Sequence, residues 1–407
     1  MLAAVLAGVA VGMNVGKVPL ALPALRTELG LSLVQAGWVS SMLTTLAVVA
    51  ALGFGLAAGR IGALRMVLGG LAASALASAL ATQVPAGAAG FGLLLATRFV
   101  EGAGFLAVAV AAPALVSAAA APADRRFALG VWSTYMPAGA GLAMGLSPLL
   151  LPGPGWRGLW LLTAAALLLA AGLAWRQRRW YALAGGSSHA VPGADRPGDA
   201  ALAVLRRPLP WLLALAFGVW AIQHFALIVW LPTFLKEQRG LGTGWVALLT
   251  CVMLLACVPG NLVGGALVQR GMARGRMIAA AHLLTGLCGL GFFSASLPDG
   301  LRYALCVALS FIGGVIPAAV MSSSAVLARN PRQINALQGL IMQGSQLGQF
   351  VGTPLIAAVV ATSGLWASAA WVTGGAALLG VALGLAAWRV EQRVEQRVER
   401  RPPAPAG

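Results

Sequence analysis

Twelve stretches of this chain are each apolar for long enough to cross a lipid bilayer, and that constrains the fold more than any motif does. They cover approximately residues 2–24, 34–57, 66–84, 91–117, 127–151 and 157–175, then 209–234, 244–268, 277–297, 302–327, 335–361 and 365–388. A spanning helix needs roughly 20 apolar residues to cover a hydrocarbon core of ~30 Å. Only 9% of the residues are charged and the mean hydropathy is +0.87, which excludes a water-soluble globular protein. The expected fold class is an all-α membrane protein with twelve transmembrane helices.

The basic residues orient these helices. A net charge of +17 in a soluble domain would suggest nucleic acid, but here the arginines lie between apolar spans, so no nucleic-acid partner is expected. With both chain ends on one side, twenty of the 27 Lys and Arg fall there, among them Arg60, Arg65, Arg125, Arg126, Arg206, Arg207, Arg270 and Arg274. Only Arg26, Arg157, Lys236, Arg239 and Arg302 fall on the other, while Lys17 and Arg98 lie inside spans. The crowded side is cytoplasmic by the positive-inside rule. The expectation is a multi-pass plasma (inner) membrane protein, monomeric, with both termini cytoplasmic. Residues 1–25 lack a basic start and carry Asn14 and Lys17, so they read as a mature helix rather than a signal peptide.

Metal and nucleotide chemistry find no support. Cys251, Cys257, Cys288 and Cys306 all sit in apolar runs without a CxxC, and His189, His224 and His282 are far apart. No G-x-x-x-x-G-K-[ST] loop is present. No cofactor is expected, and the scarcity of His, Asp and Glu inside spans argues against an intramembrane enzyme.

The two halves repeat at an offset near 210. Leu22-Pro23, Gly30-Leu31 and Gly37-Trp38 recur as Leu231-Pro232, Gly240-Leu241 and Gly244-Trp245, and Gly55 and Arg60 recur as Gly265 and Arg270. Gly141 and Gly145 match Gly348 and Gly352 at offset 207. Parallel repeats of this kind imply two six-helix bundles. The expected division is residues 1–175 and 209–388 as bundles, 176–208 as a cytoplasmic basic linker containing Gly185-Gly-Ser-Ser, and 389–407 as a cytoplasmic tail repeating Val-Glu-Gln-Arg.

Two motifs then acquire meaning. Gly55-Leu-Ala-Ala-Gly-Arg60-Ile-Gly62, with Arg65, resembles the loop signature G-x-L-A-D-R-x-G-R-R between helices two and three of the major facilitator superfamily. Gly59 stands at the acidic position, and Ala63 and Leu64 interrupt the basic pair, so the loop lacks the acid of the family's charge latch. Arg98 to Gly104 is similar to the family's fourth-helix signature R-x-x-Q-G-x-G, with Glu101 where glutamine is usual. Trp230-Leu-Pro-Thr-Phe234, Gly313-Gly-Val-Ile-Pro317 and Trp132 to Gly139 look most like the cyanate and nitroimidazole permease group. The resemblance covers residues 1–390. It implies alternating access about a central cavity lined by helices one, four, seven and ten, with Gly55, Arg60, Gly62, Arg65, Gly265 and Arg270 in the gating loops.

The ionisable residues inside spans point to the site. Each such group costs roughly 2.5–3.5 kcal/mol to insert, so its presence suggests a partner or a task. Lys17 on helix one and Arg98 on helix four lie at similar depth, with Asn14 and Glu101 three residues away on the same faces. The expectation is that Lys17 and Arg98 hold a small anion, with Asn14 beside them, and that Glu101 carries a coupled proton. The competing readings are an Arg98–Glu101 bond that only orients its helix and a Lys17 that snorkels outward. Gln223 and His224 occupy the matching depth of helix seven, and Tyr135 is placed as a cavity residue. Gln343, Gln346 and Gln349 form a polar stripe that either lines a cavity, with Gln343 and Gln346 as substrate contacts, or joins helices. Asn261 and His282 have no identifiable partner.

Together these readings describe a secondary transporter whose expected partners are a small anionic solute, protons and the bilayer, working as a proton symporter. Two alternatives stand: an exporter or exchanger of a small amphipathic compound, and a non-transporting sensor on the same scaffold.

Overall fold

A computed structural model describes residues 1–85, 88–181 and 203–399. Every described element is helical. The first half contains α1 (Leu2–Leu29), α2 (Leu33–Ile61), α3 (Ala63–Ala81), α4 (Ala88–Ala119), α5 (Arg125–Trp132), α6 (Tyr135–Leu150) and α7 (Gly155–Arg176). The second contains α8 (Pro208–Arg239), α9 (Thr243–Gln269), α10 (Arg274–Phe293), α11 (Asp299–Gly313), α12 (Val315–Ser322), α13 (Ser324–Leu327), α14 (Pro331–Ser363) and α15 (Ala369–Glu399). Most of the expected linker, residues 182–202, and the tail from 400 onward lie outside the described residues.

Eleven helical segments among the described residues are long and apolar enough to cross a membrane. The twelfth crossing is shared by α5 and α6, a departure from the single helix expected over 127–151. At the junction the Ser133 amide is split between the carbonyls of Leu129 and Gly130, both at 3.2 Å, which tightens the turn locally. The tenth crossing is likewise divided, with the Gly314 amide shared between Ser310 and Phe311 carbonyls.

The repeated glycines have local reasons. Gly30 (φ 64°) and Gly240 (φ 62°) end α1 and α8 in the left-handed region, where a Cβ is penalised. Gly62 (φ 97°) and Gly271 (φ 86°) turn the chain between α2 and α3 and between α9 and α10.

Within each bundle, close helix crossings depend on absent side chains. A Cβ added to Gly139 would stand 2.8 Å from Gly12 Cα, and one added to Gly348 would stand 3.0 Å from Gly218 Cα. These crossings, α1 with α6 and α8 with α14, occupy matching places in the two halves, with Gly139 and Gly348 209 residues apart and Gly12 and Gly218 206 apart. Gly141 and Gly145 instead face Leu255 and Cys251 of α9, across the divide between bundles.

Three of the five minority-side cations are held in ion pairs. Arg157 pairs with Glu28, which also accepts from Trp156 Nε1 at 2.7 Å, and Arg239 and Arg302 meet Asp299 at 2.6 and 3.5 Å. On the basic side, α15 continues past its apolar run and Glu391 docks at the start of α10. It accepts the Gly275 amide at 3.1 Å and meets Arg274 at 3.4 Å.

Candidate functional site

The costliest side chains of the first bundle are gathered in one place. Lys17 Nζ donates to Asn14 Oδ1 (2.8 Å), Ser78 Oγ (2.9 Å) and Glu101 Oε1 (2.7 Å), which uses all three of its protons. Arg98 donates through Nη1 to Glu101 Oε2, through Nη1 to the Asn14 carbonyl at 3.2 Å, and through Nε to the Val39 carbonyl at 3.2 Å. Ser78 also donates to Glu101 Oε1. Trp160 closes the far side, its ring centroid 4.5 Å from Lys17 Nζ. Lys17, Arg98 and Glu101 are 0%, 1% and 0% exposed, so the network is sealed from water.

Such burial costs several kcal/mol per ion and is offset only by tight pairing. Lys17→Met should therefore lower stability by about 3–5 kcal/mol, read as an earlier unfolding transition in detergent, because Glu101 would lose one of its two cations. An unchanged transition would show that Glu101 needs only Arg98.

The cavity lies between the bundles. Its wall includes Val15, Leu43 and Phe105 of the first bundle, Phe217, Trp220, His224 and Asn261 of the second, and Met342, Gln346 and Gln349 of α14. Among the described residues, no Asp, Glu, Lys or Arg lines it. The ionic network stands behind this wall: Val15 adjoins Asn14, Phe105 lies one turn beyond Glu101, and Leu43 packs on Gly102.

The expected site residues thus divide into two groups. Asn14, Lys17, Arg98 and Glu101 come together, joined by Ser78, but none of them lines the cavity. Tyr135, His224 and Gln346 do line it. His224 stacks on Trp220 with ring centroids 4.7 Å apart and its Nε2 lies 2.9 Å from Ser310 Oγ. Gln223 is buried outside the lining, with neither amide atom partnered. Gln343 joins the bundles, donating to the Val48 carbonyl at 3.0 Å and accepting the Leu52 amide at 3.2 Å. The glutamine stripe therefore does both expected jobs, one at each end. Asn261 is a lining residue that sequence reasoning left unassigned; Ser78 was missed too, its only signal being Ser74 and Ser78 one turn apart in an Ala-rich helix.

The architecture and a sequence profile agree on the family. The Major Facilitator Superfamily profile matches residues 2–353. The chain belongs to the major facilitator superfamily. It is a multi-pass membrane transporter rather than an enzyme. The Escherichia coli fucose:proton symporter FucP shares the fold, with a TM-score of 0.70 at 16% identity over 95% of this chain and 97% of FucP. The proton:xylose symporter XylE gives a TM-score of 0.69 at 16% identity over 95% and 94%. A probable sulfoacetate transporter, SauU of Cupriavidus necator, is 32% identical over 107 residues, about a quarter of either chain.

In this major facilitator protein the residues expected in gating loops divide between the surface and the seam between the bundles. Arg60, Gly62, Arg65 and Arg270 are exposed on the basic side. Gly55 and Gly265 are buried, and each faces a glycine of the opposite bundle. A Cβ on Gly55 would stand 3.1 Å from Gly339 Cα, and one on Gly265 would stand 3.1 Å from Gly130 Cα. The repeat maps one contact onto the other. At the position where the family carries an acid, a Cβ on Gly59 would be 3.3 Å from Arg332 Cγ at the start of α14.

Proposed function

We propose that the chain is a proton-coupled symporter of a small organic anion, with Glu101 as the proton site and the cavity between the bundles as the solute site. The observation that carries this reading is the position of Glu101, held between Lys17 and Arg98 one turn behind the cavity wall. With Glu101 ionised the network has a net charge of +1, and with Glu101 protonated +2. Across a dry wall each unit of charge is worth about 1–2 kcal/mol to an anion roughly 10 Å away at an effective dielectric of about 20. Protonation and anion binding therefore favour one another, which is the thermodynamic requirement for symport.

The similarity to the sulfoacetate transporter supports an anion. The two proton symporters of the same fold support the coupling ion. In this reading residues 1–175 and 209–388 rock as two bodies in the inner membrane, as a monomer with both termini in the cytoplasm. A second reading, exchange or export of a small amphipathic compound, draws on the wall itself, which is rich in aromatic and Met side chains and lacks charge.

Purified protein in liposomes should accumulate a small carboxylate or sulfonate when the outside is made acidic. Uptake indifferent to the pH gradient would overturn proton coupling. Stabilisation of the protein by amphipathic cations but by no anion would overturn the anion reading in favour of the second.

A further inference from the structure

The cavity wall has a chemical bias that the fold does not require. Apart from Ser345, whose Oγ accepts from Gln349 Nε2 at 3.3 Å, the hydroxyl groups of the wall spend their single protons elsewhere: Ser133 Oγ donates to the Gly130 carbonyl at 2.6 Å, Thr44 Oγ1 to the Ser41 carbonyl at 2.9 Å, and Tyr135 Oη to Met342 Sδ at 3.8 Å. What they leave toward a solute is lone pairs.

Two amides point the same way. Asn261 donates through Nδ2 to the Ser133 carbonyl at 3.3 Å and toward Cys257 Sγ at 3.7 Å, which fixes the amide's orientation. Its Oδ1 is then a buried carbonyl oxygen without a partner, and Gln346 Oε1 is another. Asn261 and Gln346 are 0% and 1% exposed, and both line the cavity, on α9 and α14. Buried acceptors are normally satisfied, and two orphaned ones in the wall of a transport cavity match a ligand that brings the missing donors.

We infer that the transported solute carries hydroxyl or N–H donors, received by Asn261 Oδ1 and Gln346 Oε1, so that the substrate class is a hydroxylated or amide-bearing small acid rather than a bare carboxylate or sulfonate. This rests on the cavity being the solute site. The anion is drawn by the field of the sealed network, and the donors are read by the wall. A site built to pair a polar group rejects the analogue lacking it far more strongly than a greasy pocket rejects a missing methylene.

The test is binding to purified protein of matched pairs: lactate against propionate, 2-hydroxyethanesulfonate against ethanesulfonate, and the uncharged pair propane-1,2-diol against 1-propanol. The hydroxylated acid of each charged pair should bind at least tenfold more tightly. Asn261→Leu and Gln346→Met should each bring that ratio close to one. Equal binding within both charged pairs, or a ratio that survives both substitutions, overturns the inference and leaves the anion reading intact. A diol bound as tightly as the hydroxy acids overturns the anion reading and leaves the donor inference standing. If none of the six compounds binds, the solute class is wrong and the inference falls with it.

Discussion

Glu101→Gln should abolish accumulation driven by a pH gradient while leaving exchange of solute across the membrane within about threefold of the native rate. One proton per cycle across a gradient of one pH unit supplies about 1.4 kcal/mol, enough for roughly tenfold accumulation. With glutamine in place, no proton is gained or lost at this site, and the internal concentration should only reach the external one. The substitution also leaves Lys17 and Arg98 buried without their shared anion, a change expected to cost about 3–5 kcal/mol of stability. The exchange assay shows that the variant is folded. Native accumulation by Glu101→Gln would reduce the carboxylate to an internal strut between Lys17 and Arg98. Loss of exchange together with accumulation would assign it to the structural integrity of α4 instead of the proton path.

The depth argument from sequence went a long way toward this network. Lys17 and Arg98 were expected at one level because a helix rises about 1.5 Å per residue, and the structure brings Lys17 within 2.7 Å of Glu101. The sequence could not say whether those cations face solute or one another. That depends on helix rotation, set by contacts such as Gly102 against Leu43 and Gly16 against Ala140, which are spread across four helices. Ser78 was hard to read for the same reason: a serine in an Ala-rich helix is ordinary until its face is known. Asn261 showed the converse. It looked isolated because its partner, the Ser133 carbonyl, is a backbone atom 128 residues away at the α5–α6 junction, and no side-chain pattern encodes it. The twelve spans were legible because hydrocarbon thickness imposes their length, whereas at the junctions inside the fifth and tenth one amide is shared between two carbonyls, which leaves no mark in hydropathy.

Gly55→Leu should part the two bundles at their basic end and reduce transport more than tenfold. The motif containing Gly55 lacks its acid, so a charge latch at Gly59 is unavailable. What holds this end together is backbone packing: Gly55 on Gly339 and Asn335, Gly265 on Gly130, and Arg332 over Gly59. A leucine at Gly55 has no void to fill, and closely packed helices move apart rather than compress. Spin labels at Arg60→Cys and Arg332→Cys, in a background with the four native cysteines replaced, should report a distance several Å longer in the variant. Gly265→Leu should do the same through the equivalent contact, because the repeat carries Gly55–Gly339 onto Gly265–Gly130. Gly53→Leu is the control, since a Cβ there meets nothing within 4 Å although it lies on the same helix two residues away. If Gly53→Leu impairs transport as much as Gly55→Leu, the effect belongs to α2 as a whole and glycine packing is not the latch. If Gly55→Leu leaves both distance and flux unchanged, closure at this end relies on contacts elsewhere, of which Gln343 bridging Val48 and Leu52 is the first to test.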